Sequence, residues 1–288
     1  MKVQEIIDRL LAYYPDITGK IEKFYPGVVN PATADSIKCG DPMVECTGIA
    51  TAIYPSIDII RRAIALGCNF LIVHEPSFYT HPDSTDWLRG KSEVFDAKWK
   101  LLEDAGIVIY RDHDHIHNRR PDGIMYGVAK ELDWLPYLVN DYDWDSPDLN
   151  LPQFVLPETT VYEIAKHLKQ KLQMKAVRVI GNVNACVSKV SFAAHICPSV
   201  NEERVKALEK TFENGTEVLI PGEMWDWSPA AYYRDAGQLG LNKAIIQVGH
   251  FSMEELGMKY AAEYIDELLN HSVPIHFLHN GDMYDYVF

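Results

Sequence analysis

The sequence predicts an α/β fold of two lobes, and three observations carry that prediction. Short apolar runs such as Asn69-Phe-Leu-Ile-Val73 alternate with segments of helical period. Glycine and proline punctuate the junctions, as at Pro55 and Gly67. Histidines and carboxylates gather just past the apolar runs, where open α/β sheets hold their ligand crevices.

Residues 1–16 mix acids into an apolar stretch, which reads as an amphipathic helix rather than a signal peptide. Residues 48–53 read as a strand, and Ser56 is the N-cap of a helix over 57–65 that Gly67 ends. A buried strand over 69–73, a helix over 92–104 and a strand over 107–110 follow. The polar tract 112–123 reads as a loop and 124–132 as a helix. Residues 134–157, rich in Pro, Asp, Asn and Trp, have no stable period and read as a connection.

A second α/β region begins with a helix over 161–173 and strands over 176–180 and 189–194. A helix over 202–210 and a strand over 217–220 come next, the strand closed by a Pro221-Gly222 turn. A helix over 230–236, a strand over 243–248, a long helix over 253–270 and a strand over 274–278 complete the chain. The lobes are expected at 1–133 and 158–240, joined by 134–157, with 241–288 as a separate C-terminal segment.

With 27 basic and 41 acidic side chains the formal charge is −14, which argues against a general nucleic-acid binder. No apolar run is long enough to span a membrane. The cysteines Cys39, Cys46, Cys68, Cys186 and Cys197 are odd in number and form no C-x-x-C pair. They read as free buried thiols in a reducing, cytoplasmic setting.

The chain has no Walker loop, no G-x-G-x-x-G and no G-x-S-x-G. His74-Glu75 does not open H-E-x-x-H, since residue 78 is Phe and Pro76 opposes a helix. Three clusters remain. His74-Glu75-Pro76 ends an apolar strand and offers an imidazole and a carboxylate, both metal ligands, although a solvated strand end would look the same. Asp112-His-Asp-His-Ile-His117, if extended, would turn His113, His115 and His117 to one face. Gly249-His250-Phe-Ser-Met-Glu-Glu255 ends a strand and opens a helix. There Ser252 and Glu255 fit a capping box, which leaves Glu254 to face the strand edge beside His250. Glu223 and His195 also follow strands, and Cys197 reads as a buried thiol. His81, His167, His271, His276 and His279 show no partner pattern.

In this order along the chain, the clusters resemble the Nif-three-like family, whose members are also called GTP cyclohydrolase 1 type 2. The family's early Gly-Asp resembles Cys39-Gly40-Asp41-Pro42, and its His-His-Pro resembles His74-Glu75-Pro76. Its Y-x-x-H-T-N-x-D tract is matched by Tyr110, His113 and, at the last position, His117. Its G-H-x-x-x-E is Gly249, His250 and Glu254, and Gly222-Glu223 resembles its T-G-E turn. The resemblance implies two α/β lobes with a two-metal site in the crevice at the carboxyl ends of strands. It also implies a C-terminal segment that returns to the first lobe and a homo-oligomer, a hexamer built from dimers. Glu75 stands where the family has His and His117 where it has Asp, so the inventory of imidazoles and carboxylates is kept. The implied ligands are His74, Glu75, His117, His250 and Glu254 around two divalent ions, Zn, Fe or Mn. Glu223 or His113 is then the candidate proton donor.

Two functions compete. One is a metal-dependent hydrolase acting on a small, nucleotide-like molecule. The other is a non-catalytic metal-binding protein with a regulatory or interaction role. Open coordination positions favour the first and a filled site the second. A domain whose histidines are only structural is the third reading.

Overall fold

Short, largely apolar runs make strands buried on both faces, and the three central strands of the first sheet are built of them. The chain was described from a computed structural model covering residues 1–17, 21, 32–139, 152–196, 209, 211–226 and 229–287. The elements begin with α1 (Val3–Tyr13), β1 (Ser36–Cys39), β2 (Ile49–Ala52), α2 (Ile57–Ala65), β3 (Phe70–Val73) and α3 (Glu93–Asp104). Then come β4 (Val108–Arg111), α4 (Asp114–Asn118), α5 (Gly123–Glu131), β5 (Gln153–Thr160), α6 (Val161–Lys171) and β6 (Arg178–Gly181). The last are β7 (Cys186–Ile196), β8 (Val218–Met224), α7 (Pro229–Gln238), β9 (Ala244–Gln247), α8 (His250–Leu268) and β10 (Ile275–Phe277).

The first unit comprises Met1–Gly127 and Gly257–Asn280, and its sheet has the order β1-β4-β3-β2-β10. β10, β2, β3 and β4 are parallel, and β1 runs antiparallel to β4 at the edge. All residues of β2, β3 and β4 are buried. The expected Ser56 cap is present, its hydroxyl accepting the Ile59 amide at 3.2 Å, and Ser92 caps α3 in the same way. Gly40 turns the chain out of β1 at φ +86°, and a Cβ there would lie 2.5 Å from the Ile107 carbonyl oxygen. Only glycine fits both conditions.

The second unit comprises Val128–Leu256 and Gly281–Phe288, with a sheet ordered β5-β7-β8-β9-β6. β7, β8 and β9 are parallel, while β5 and β6 are antiparallel edges. Here three expectations change. Residues read as a connection supply core aromatics: Trp134 and Phe154 pack with Phe192 at ring separations of 4.9 to 5.7 Å. The Pro221-Gly222 turn is instead part of β8. There Pro221 stands opposite Ala193 of β7, while the pairing with β9 involves Val218 and Leu219. β9 joins this sheet and not a separate C-terminal segment, and the chain re-enters the first unit within α8. The helix read over 202–210 lies outside the described residues.

Cys39 and Cys68 are buried as expected, Cys46 is half-buried, and Cys186 is exposed, contrary to expectation. Cys186 pairs with Thr160 on an edge strand, which leaves one face to solvent. Among the described residues no helix is long and apolar enough to cross a membrane.

Two consequences can be measured. A Cβ at Gly257 would lie 2.6 Å from the Ile124 Cα, so Gly257→Ala should destabilise the protein by about 1–3 kcal/mol, read from urea unfolding. Lys98 is buried with its Nζ donating to the Ser77 carbonyl at 2.7 Å, and burial pushes its ammonium down to about 8. The unfolded chain, with a lysine pKa of about 10.4, binds the extra proton between these values, so this group's contribution to stability rises with pH there. Lys98→Met should flatten that rise between about pH 8 and pH 10 relative to the parent, measured by denaturant unfolding.

Candidate metal centre

β3 and β4 lie parallel with Val73 opposite Arg111, so His74 and Asp112 leave neighbouring strand ends together. His74 is completely buried, and its amide and that of Glu75 both donate to the Ile53 carbonyl. The Nδ1 of His74 lies 3.0 Å from the carbonyl oxygen of Asp112. That contact assigns the proton to Nδ1 and leaves Nε2 as the nitrogen able to coordinate an ion.

The tract after Asp112 is not the extended loop the sequence implies. Residues Asp114–Asn118 wind into α4, with the His117 amide donating to the His113 carbonyl at 3.2 Å. At helical spacing His113 and His117 share a face and His115 does not. Asp35 explains the winding. Its Oδ1 accepts the amides of His113 and Asp114 at 2.6 and 2.9 Å, and its Oδ2 accepts that of His115 at 2.8 Å. An extended tract would strand this buried carboxylate without those donors. His115 turns back to it, Nδ1 to Oδ2 at 2.6 Å.

His74, His113 and His117 therefore meet. Their ring centroids stand 4.7, 4.9 and 5.2 Å apart, and one nitrogen from each lies within 4.8 Å of the others. His113 Nδ1 faces Asp114 Oδ1 at 2.8 Å, and His117 Nδ1 faces Asp122 Oδ2 at 2.9 Å. Asp122 has a second task, since its Oδ1 accepts the amides of Ile124 and Met125 at the start of α5. Burial, reinforced by the neighbouring imidazoles and opposed by Asp114, pushes His113 down to about 4. It is a neutral imidazole at neutral pH. Asp114 is held below the usual carboxylate range because, against burial, His113, the Ala34 amide and the Thr33 hydroxyl favour its charge.

Behind these rings lies a buried ionic layer. Arg111 is fully buried, its Nε donating to the His74 carbonyl at 2.9 Å and its Nη1 to the His81 carbonyl at 2.5 Å. Its guanidinium stands 3.7 Å from Glu75 and 3.8 Å from Asp83. Glu75 is thus buried and already charge-balanced. The ring of His81 meets that of His113 edge-on at 5.4 Å, a proximity that its sequence context did not signal.

The remaining predicted residues lie in the second unit. α8 begins at His250, and the Met253 amide donates to the Gly249 carbonyl at 2.9 Å. Gly249 is therefore the N-cap, and the predicted capping box of Ser252 with Glu255 does not open the helix. At spacing i, i+4, His250 Nε2 lies 3.2 Å from Glu254 Oε2, while His250 Nδ1 lies 3.2 Å from Glu223 Oε1. His195 pairs with Glu223 in the β7–β8 register, and Cys197 lies outside the described residues.

These features define a class: mixed α/β proteins of two sheets with a histidine group suited to a divalent ion at parallel strand ends. The model of the DUF34/NIF3 (NGG1p interacting factor 3) family matches residues 12–282, and the chain belongs to that family. It is 22% identical over 245 residues to the GTP cyclohydrolase 1 type 2 homolog of Clostridium acetobutylicum, covering 83% of this chain and 84% of that protein. The fold is similar to that of Staphylococcus aureus hypothetical protein SA1388, with a TM-score of 0.69, 17% identity and coverage of 100% and 99% of the two chains. It is also similar to a Bacillus cereus protein related to NIF3, with a TM-score of 0.67, 15% identity and the same coverages.

Asp35→Ala removes a buried acceptor shared by three amides. It should cost about 3 kcal/mol in urea unfolding, and Asp35→Asn distinctly less.

Proposed function

We propose that this chain is a divalent-metal protein acting as a hydrolase on a small, nucleotide-like molecule. One observation carries the reading: three imidazoles converge, each with its Nδ1 held by a carbonyl or carboxylate. Metal-binding histidines are oriented in this way, and the arrangement has no need of so many partners if the rings only fill space. The donors fit Zn, Fe or Mn.

His74, His113 and His117 would hold one ion, so His113 is read as a ligand rather than a proton donor. The family resemblance implies a second ion as well. When bound, a divalent ion supplies a water acidified toward neutrality and a Lewis acid for the bond attacked. The chain's own residues do the rest. Asp114, Asp122 and the Asp112 carbonyl fix the rings. His250 and Glu223, 3.2 Å apart, are placed to hold and pass a proton between Nδ1 and Oε1. The name of the clostridial relative makes GTP the first substrate to try.

Metal analysis of purified variants tests the ligand set. His117→Ala should lose at least half of the bound metal, while His115→Ala should keep it, because His115 is committed to Asp35. Asp122→Asn should weaken metal affinity by about tenfold or more with a small change in melting temperature. Equal metal loss in the His115 and His117 variants would refute the assignment. Metal-loaded protein incubated with GTP and followed by NMR should show a hydrolysed product that His117→Ala abolishes. Stoichiometric metal without turnover would favour the non-catalytic role instead.

A further inference from the structure

The second unit contains a pocket of about 400 Å³ that is lined by none of the three clustered histidines. It opens at the carboxyl ends of the parallel strands β8 and β9, where α/β sheets place ligands. Four aromatic rings line it: Trp225, Phe251, Tyr284 and Tyr286. They come from three separate stretches of chain. Trp225 is 53% and Tyr284 58% exposed, an unusual outlay of aromatic surface beside a concavity. Arg178 from β6 and Glu223 from β8 also line the walls.

We infer that this pocket binds a planar heteroaromatic molecule of low net charge, a free purine-like base or its nucleoside, by stacking against Trp225 and Tyr284. Three features carry the inference. The volume lies within the range of small-ligand sites and suits a bicyclic ring with a sugar. Aromatic faces bind heterocycles through their π surfaces, and Arg and Glu offer donors and acceptors to ring edges. Charge decides the rest. Arg178 is the one guanidinium or ammonium among the lining residues, it is opposed by Glu223, and the chain carries −14 overall. A triphosphate finds no matching field there. The inference deepens the hydrolase reading through the shared residues His250 and Glu223, and it makes the nucleoside, not the phosphates, the part of the molecule that this pocket recognises.

The test is calorimetric titration of guanosine, guanosine monophosphate and GTP into the protein stripped of metal by a chelator. Guanosine should bind saturably, with affinity falling as phosphates are added. Trp225→Ala and Tyr284→Ala should each weaken guanosine binding about tenfold, in keeping with the loss of one stacked ring. Both substituted side chains are more than half exposed, so thermal melts should match the parent. His117→Ala should bind guanosine like the parent even where it loses metal, so failure of the metal assignment and failure of the pocket are read separately. No saturable guanosine binding would overturn the proposal. Tighter binding of GTP than of guanosine, or parent-like binding by both aromatic variants, would do the same. A change of oligomeric state in those variants would overturn it in favour of an interface between copies.

Discussion

The parallel pairing of β3 with β4 is the constraint on which the first unit's chemistry depends. With Val73 opposite Arg111, the two strands end level, and residues thirty-eight positions apart in sequence become neighbours. The Asp112 amide then donates to the Val73 carbonyl at 2.8 Å, and its own carbonyl meets His74 Nδ1. A slip of one residue would turn each strand's side chains to the opposite faces and separate these partners. The register thus sets an imidazole's tautomer.

Burying such a site is expensive, and the ionic layer beneath it shows how the cost is met. Arg111 reaches two carbonyl oxygens and two carboxylates, Glu75 and Asp83, and Lys38 stands 3.6 Å from Asp83. Removing any one partner would leave a buried charge uncompensated. Tyr14 extends the polar network by donating to Asp112 Oδ2 at 2.6 Å, with Tyr264 2.7 Å from its hydroxyl. Burial first, and then the charge of Asp35, pushes the Asp112 carboxyl up to about 8 despite that hydrogen bond. The rings are therefore set against a buried polar wall.

Helix starts are the second recurring device. α4 begins on Asp35, α5 on Asp122 and α8 on Gly249, and each start places a histidine or fixes its ring. Asp122 joins the two roles in one carboxylate: one oxygen accepts helix amides and the other orients His117. Such sharing couples local folding to ligand geometry.

Much of this was legible in the sequence. The apolar runs ending at Val73 and Tyr110, the Ser56 cap and the clustering of His74, His113 and His117 past strand ends follow from local composition and period. These are properties of a few adjacent residues, so the chain alone determined the α/β class and the metal-type donors. Tertiary structure decided the rest. The winding of the 112–118 tract was not legible, because its cause, Asp35, lies far away in sequence. Nor were the edge position of His81, the strand through Pro221 or the core role of Trp134 and Phe154. In each case a distant partner supplied the hydrogen bond, the paired strand or the packing surface that overrode the local preference.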